Sequence, residues 1–444
     1  MKPEIFKSYD IRGIYPEEIN EDDAYSIGRA VVEHLAPKRL GIGRDIRSSS
    51  PSLFESFTRG AMDQGCDILD LGIITTPMVY FAAGRLDIDA AISLTASHNP
   101  PEYNGMKIVL RGAVPIGENS GLYEIRDLAF SGKFQSPERI GTMTTEDIRP
   151  AYYGYFSSFA DFGDKQFKIV IDTANSMGIL ELPIYEQFPD NLSIINLYND
   201  LEHAFECHEA NPMKLESLDE LCAKVTETEA DFGIAYDGDA DRIGFVDETG
   251  EIIPMDLITG LLAKIILQKR PGSTILYDLR SSQAVKEIIE ENGGIGHACK
   301  VGHANIKKQM REAGAIFAGE CTGHYYFEEN SFAEASTLAA LFLLNLMAKS
   351  GEKISALVKE LRRYSKIAET NSQVSNVNDI LAKLKGVYAD GRQNELDGLK
   401  VEYPDWWFSV RPSNTEPLLR LNLEAKTKKL MGEKEKELLE IIRG

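Results

Sequence analysis

The sequence predicts an α/β protein of four domains: three similar α/β units with mixed, mostly parallel sheets, then a smaller C-terminal α+β domain. The first observation is a unit that occurs three times. LGIGRDIRSSS (40–50), KIVIDTANSMG (168–178) and STILYDLRSSQ (273–283) each read as an apolar strand that ends in Asp and runs into small polar residues. A second apolar stretch follows each: CDILDLG (66–72), LSIINLY (192–198) and GGIGHAC (293–299). A third then follows: DAAISLTASHNP (89–100), ADFGIAYDGDADR (230–242) and GAIFAGECTGH (314–324). Self-similarity on this scale marks a repeated supersecondary unit. The second observation is that the strands are unbroken apolar runs between helical patterns, as two-sided burial in a largely parallel sheet requires. The third is a change of character from about residue 366. There LDGLKVEYPDWWFSVRPSNTEPLLRLNLEA combines an Asp-Gly turn with alternation at Leu419, Leu421 and Leu423, and the charged helix TKKLMGEKEKELLEIIR closes the chain. Antiparallel strands covered by helices fit this pattern. The expected domains are 1–148, 149–250, 251–365 and 366–444.

The helix after the first repeated strand is well marked, with Ser50 as N-cap, Pro51 at its first position and Gly65 as its stop. The run ASTLAALFLLNLMA (335–348) is too short to span a bilayer and contains Asn345, so it reads as a buried helix. Ligands bind at the carboxyl ends of strands in open α/β sheets. The three chemically distinct loops after the third strands are therefore expected to face one cleft.

A length of 444 residues suits three or four domains, and 43% hydrophobic residues supply enough core. The net charge of -21 argues against nucleic-acid or anionic-membrane partners, which need a basic field. Phosphate remains bindable where Arg and Lys converge. The five cysteines show neither CxxC nor framework spacing, which fits free thiols in a reducing cytoplasm. No cationic start with an apolar run and cleavage site is present, so a cytoplasmic protein is expected. Monomer and homodimer both stay open.

DGDADR places Asp237, Asp239 and Asp241 at alternate positions after the strand FGIAY. In an irregular loop this spacing aims three carboxylates at one point, and a divalent cation removes their mutual repulsion. Hard oxygen ligands suit Mg²⁺ or Ca²⁺. A calcium EF-hand would use Glu248 at position 12, but position 6 is Arg242 where glycine is needed, and the flanks read as strands. A solvated acidic turn is the plain competitor; Arg242 beside the carboxylates favours a site that holds metal and anion together.

Ser97, in LTASHNPPEYNGMKIV, lacks the G-x-S-x-G setting of a hydrolase elbow, and no Walker loop or complete dinucleotide fingerprint occurs. A dyad of Ser97 with His98 is not expected, because neighbouring side chains diverge in an extended loop. His303 and His324 are other candidate bases. Taken alone, Ser97 is ordinary turn chemistry.

With TASHNP, DGDADR, GECTGH and RPSNTEP in that order, the chain resembles the α-D-phosphohexomutases over essentially its whole length, from YDIRG (9–13) to RPSNTEPLLRLN (411–422). The resemblance implies a phosphorylated Ser97 whose phosphoryl oxygen binds Mg²⁺ together with Asp237, Asp239 and Asp241. It implies transfer of phosphate to a hexose phosphate through a hexose 1,6-bisphosphate, which is both activator and intermediate. Lys107 and Arg12 become acid/base or charge-stabilising partners, and Arg242 neutralises charge at Ser97. Glu320, Thr322 and His324 would read the sugar, while Arg411, Ser413, Asn414 and Thr415 would cradle the distal phosphate. Tyr9 of YDIRG, Arg280 and His303 match substrate-contact positions. The departures are Thr322 for the usual Ser, Cys321 where Met or Gln is common, and Arg280 for a frequent Lys. Cys321 mildly disfavours glucosamine phosphate and leaves the preferred sugar open. The expected function is an Mg²⁺-dependent phosphohexomutase acting on mannose or glucose phosphates, with phosphoglucosamine mutase, a non-catalytic sugar-phosphate-binding protein and a Ser-dependent phosphatase as competitors.

Overall fold

The structure is a computed structural model and describes residues 1–374, 376–412 and 418–444. Each of the first three sheets repeats one strand order. The second strand lies beside the first, the first beside the third, and the third beside an antiparallel strand. In the first sheet these are Asp67–Ile73, Arg39–Arg44, Ala90–Leu94 and Tyr103–Leu110. In the second they are Leu192–Leu197, Phe167–Asp172, Phe232–Tyr236 and Ile243–Asp247. In the third they are Ile295–Cys299, Thr274–Asp278, Ala315–Gly319 and Tyr325–Phe327. The parallel pairs thus form each sheet's centre, and antiparallel strands extend it. The fold is α/β with a smaller last domain, as the repeats imply.

This order decides where the chemistry sits. The serine, carboxylate and sugar loops are all the hairpin between a third strand and its antiparallel neighbour. Three equivalent hairpins therefore open at equivalent edges of three sheets.

Three of the four domains share one core. A single buried cluster runs through Leu69, Val109, Ile169, Phe245, Ile275, Phe327 and Phe342, so it draws on all three sheets. The apolar run forms the helix Ser336–Ser350, buried from Ser336 to Met347. Near the start of that helix Thr337 donates to the buried carboxylate of Glu181 (2.6 Å), as do Thr75 (2.8 Å) and Tyr152. Burial raises the Glu181 pKa, and the three hydroxyl donors partly offset that. The last domain packs its own cluster around Leu399, Val401, Phe408, Val410, Leu419, Leu421 and Leu423. The alternation at 419, 421 and 423 is the inward face of the strand Leu418–Ala425.

Two local features differ from the sequence reading. The marked helix spans Ser50–Asp63, with Ser49 and not Ser50 as N-cap. The hydroxyl of Ser50 is engaged by Asp45 (2.5 Å), so it cannot cap. A helix at Glu21–Leu35 precedes it, closed by a capping box between Asn20 and Asp23.

Candidate active site

Ser97 follows the strand Ala90–Leu94 and is 2% exposed. Its φ of +52° is left-handed, so the loop bends sharply there. The bend brings Oγ to 2.9 Å from Asp237 Oδ2, to which it donates. It also brings Oγ to 3.3 Å from His98 Nδ1. The expectation that these neighbours diverge is therefore corrected: it assumed an extended loop. Burial, with Arg242 and Arg12 nearby, pushes the His98 pKa down to about 2 and keeps the ring neutral.

The carboxylates converge. One oxygen from each of Asp237, Asp239 and Asp241 lies within 4.8 Å of the others, and all three side chains are buried. The backbone N–H of Arg242 donates to Asp237 Oδ1 (3.1 Å). Thr76 donates its hydroxyl to Asp239 Oδ2 (2.6 Å) and its N–H to the Asp239 carbonyl (3.1 Å). Ser336 donates to the Ala240 carbonyl (2.5 Å), so the other two large domains both pin the loop. Gly238 is required by close approach: a Cβ there would lie 2.2 Å from the Ser97 carbonyl oxygen. Glu248 takes no part, because Ser355 holds it.

Lys107, on the antiparallel strand opposite Ser93, donates to Asp239 Oδ2 (2.7 Å) and Asp241 Oδ2 (2.5 Å). Burial alone would lower its pKa, but the two carboxylates raise it, so it is held as a cation. Burial, then repulsion from Asp241 and Asp239, pushes Asp237 up to about 8. Asp239 Oδ1 is buried without a hydrogen-bond partner. An orphaned carboxylate oxygen beside an ionisation-resisting neighbour is what an all-oxygen cation site leaves behind, and the donor set suits Mg²⁺. Arg12 donates to Asn99 Oδ1 and Asp10 Oδ2, both at 2.5 Å, and so borders the serine loop.

The sugar loop joins this centre directly. Ile243 donates its N–H to the Gly323 carbonyl (3.0 Å). His324 Nε2 lies 3.2 Å from Asp241 Oδ1 and 3.1 Å from Arg242 Nε, while Nδ1 lies 2.8 Å from Glu320 Oε2 and 3.2 Å from Thr322 Oγ1. Burial lowers the His324 pKa, but Asp241 and Glu320 outweigh it and push it up to about 9. Arg242 Nε also stands 3.9 Å from Asp237 Oδ2.

At the outer end, Tyr9 and His303 meet edge to face at 5.5 Å, and Asn305 donates to the Tyr9 hydroxyl (2.9 Å). Arg280 is paired with Asp278 and stands 4.0 Å from Glu320 and 3.9 Å from Glu369. Arg411 lies 3.8 Å from Glu369 and 3.8 Å from Asp397. Ser413, Asn414 and Thr415 lie outside the described residues.

Several residues here went unread in the sequence. Thr76 and Ser93 bond each other behind Asp239 (2.8 Å). Glu369 stands 3.9 Å from Arg280 of the third domain and 3.8 Å from Arg411 of its own. Glu334, paired with Lys307 at 2.7 Å, sits under Asp241 and His324. Arg47 backs the serine loop. Only Arg47 carried a signal: of the D-x-R tripeptides at 10–12, 45–47, 147–149, 278–280 and 390–392, those at Asp45–Arg47 and Asp278–Arg280 close a repeated strand.

Three equivalent hairpin loops meeting at one acidic, cation-ready centre suit a phosphotransferring isomerase. Family models match along the chain: phosphoglucomutase/phosphomannomutase α/β/α domain I on 3–136, domain II on 151–250, domain III on 254–364 and the C-terminal domain on 369–441. A phosphomannomutase of Methanocaldococcus jannaschii is 38% identical over 99% of this chain and 97% of its own. A solved phosphoglucomutase/phosphomannomutase family protein of Burkholderia thailandensis superposes with TM-score 0.92 at 30% identity, covering 100% of this chain and 98% of that one. The N-acetylphosphoglucosamine mutase of Aspergillus fumigatus, solved in complex with GlcNAc-6P and magnesium, has TM-score 0.65 at 12% identity over 99% and 95% of the two chains, a likeness of fold. The chain belongs to the phosphoglucomutase/phosphomannomutase family, the α-D-phosphohexomutases. It is a sugar-phosphate mutase. Among the described residues no helix is long and apolar enough to cross a membrane.

Proposed function

We propose that this enzyme interconverts the 1- and 6-phosphates of mannose, glucose or both, with Ser97 as the phosphoryl carrier and Mg²⁺ as the cofactor. The observation that carries the reading is the Ser97 hydroxyl on Asp237 at 2.9 Å, within a buried set of three converging aspartates. The hydroxyl donates to Asp237, one of three carboxylates that would hold a cation, while the neutral His98 ring stands farther off at 3.3 Å. Asp237, Asp239 and Asp241 would hold Mg²⁺, which neutralises phosphoryl charge.

The residues then divide the work. The phosphorus–Oγ bond of phosphorylated Ser97 breaks as a sugar hydroxyl attacks, and the new ester makes a hexose 1,6-bisphosphate. The hydroxyl proton ends on the Ser97 Oγ released from phosphorus, which balances the step; His324, held as a cation between Asp241 and Glu320, donates hydrogen bonds at the sugar loop and does not serve as the base. Lys107 and Arg242 supply positive charge where the phosphoryl group moves. Arg12, by bonding Asn99, keeps the serine loop seated. Glu320 and Thr322 orient sugar hydroxyls, with Tyr9, Arg280, His303 and Arg411 toward the phosphate that does not react. After the bisphosphate reverses, its other phosphate returns to Oγ and the remaining ester is the product.

The test is turnover of mannose 1-phosphate, glucose 1-phosphate and glucosamine 1-phosphate with Mg²⁺ and a trace of hexose 1,6-bisphosphate, with Ser97→Ala alongside. The expected result is 6-phosphate formation from the first two, lost by at least about a thousandfold in Ser97→Ala. Preference for glucosamine phosphate would replace the sugar assignment. Turnover that survives Ser97→Ala would remove the carrier.

A further inference from the structure

We infer that Arg47 is a positioning residue for phosphoryl transfer, holding residues 97–103 in the bent form that aims the Ser97 hydroxyl at the aspartates. The inference rests on the reading of Ser97 as the carrier. Arg47 sits on the turn after the strand Arg39–Arg44, whose last residue pairs with Leu94, so this turn lies beside the serine loop. Its side chain is fully buried. Nη2 donates to the carbonyls of Ser97 and Asn99, both at 2.7 Å. Nη1 donates to those of Pro100 (2.5 Å) and Tyr103 (3.0 Å), and Nε to Asp45 Oδ2 (3.0 Å).

Two of these bonds answer a need of the loop. The left-handed bend at Ser97 turns the loop away from sheet pairing, so the carbonyls of Ser97 and Asn99 take the guanidinium instead, while that of Pro100 also accepts the Tyr103 N–H (3.0 Å) and Tyr103 opens the next strand. One guanidinium fork engages all four carbonyls at once in a single plane, which an ammonium on a flexible stem cannot do. The Ser97 carbonyl is thereby caught between Arg47 and Gly238, and its side chain is left pointing at Asp237. Phe205, from the second domain, covers the guanidinium at 4.7 Å. Because Asp45 balances the charge of Arg47, the contribution is one of shape and not of field.

Arg47→Lys separates the two, since it keeps the charge and removes the fork. With Mg²⁺ and mannose or glucose 1-phosphate, kcat is expected to fall roughly a hundredfold, the scale of a misplacement of about 1 Å, with KM within about twofold. Amide exchange should speed up at 97–103 and stay unchanged elsewhere. The single-turnover rate of phosphoryl transfer per folded molecule should fall with kcat. Wild-type kcat in Arg47→Lys, or a loss that follows only the folded fraction, would overturn the inference while leaving the mutase reading intact. A wild type without turnover or without phosphate on Ser97 would overturn both. Should Arg47→Lys fail to fold, Phe205→Leu loosens the same fork. It is expected to lower kcat several-fold with faster exchange at 97–103, and unchanged kcat and exchange would count against the inference.

Discussion

The turns GRDIRSS and YDLRSS occupy the same place in two repeats, yet they direct their arginines to different ends. In both, the arginine pairs with the aspartate two residues before it, Arg47 with Asp45 and Arg280 with Asp278. Arg47 then engages every remaining guanidinium nitrogen on backbone carbonyls. Arg280 Nη2 is held by Asp278 and stands 4.0 Å from Glu320, and among the described residues Nη1 faces Glu369 at 3.9 Å. The same unit therefore supplies a closed brace in one domain and an arginine with open donors in another. The difference extends to the two ends of the cleft. Around Ser97 the polar contacts are short, buried and shared between domains that have a common core. Beyond the Arg280–Asp278 pair, the charge contacts of Arg280 and Arg411 among the described residues run from 3.8 to 4.0 Å, and the one from Arg280 to Glu369 crosses to a domain with its own core. A transfer centre preorganised at one end and a phosphate grip left open at the other suits a bisphosphate that must turn around without leaving.

If that contrast is real, the two arginines fail in opposite ways. Arg280→Met is expected to raise KM for the hexose phosphate by about tenfold to a hundredfold, the worth of a hydrogen bond to a charged group, with a smaller change in kcat. Arg47→Lys should do the reverse. Steady-state kinetics on both variants would break the comparison if Arg280→Met lost kcat and kept KM.

A smaller effect sharpens the same contrast. Glu369 accepts from Asn422 (3.0 Å) and stands 3.9 Å from Arg280, 3.8 Å from Arg411 and 3.5 Å from Arg420. Its carboxylate occupies the arginines' side of the cleft with the charge sign of a phosphate. Glu369→Gln should tighten inorganic phosphate binding about two- to fivefold, as expected for partly solvated charge contacts. Calorimetric titration with phosphate reads this directly, and unchanged or weaker binding would show that Glu369 orients the arginines instead of competing for them.

These pairs also show what the sequence could carry. The repeat was legible because strands need apolar runs and the runs recur, and Asp237, Asp239 and Asp241 were legible because three alternate acids have few uses. Arg280 and Arg47 share a motif, yet only the first was singled out, since nothing in D-x-R states which way a side chain leaves the turn. Thr76, Glu369 and Glu334 carry no local pattern at all. Their roles come from sheets packing against one another, so Thr76 meets Asp239 across 163 positions of chain. The expected spread between Ser97 and His98 failed for a related reason: the left-handed bend at Ser97 is held by Arg47 and Gly238, from two other segments.

The smallest expected effect concerns pH and separates the metal loop from the arginine brace. Asp237 is pushed up to about 8, so between the free-aspartate value of 3.8 and 8 the folded state keeps a proton that the unfolded state has lost. The stability this confers is full below about pH 4 and disappears as pH rises through 8. His324, raised from 6.5 to about 9, acts in the same direction: its contribution is full below about 6.5 and is lost as pH rises through 9. The metal-free protein should therefore lose several degrees of Tm between pH 6.5 and 8.5. Mg²⁺ needs Asp237 ionised, so binding releases a proton and its stabilising increment should grow over the same interval. Melting curves with excess chelator and with excess Mg²⁺ at pH 6.5, 7.5 and 8.5 measure that increment. An increment independent of pH would mean that Asp237 is already ionised and that the orphaned oxygen of Asp239 alone marks the cation site. Arg280→Met should leave the increment unchanged, because no group of that turn holds the metal-loop proton.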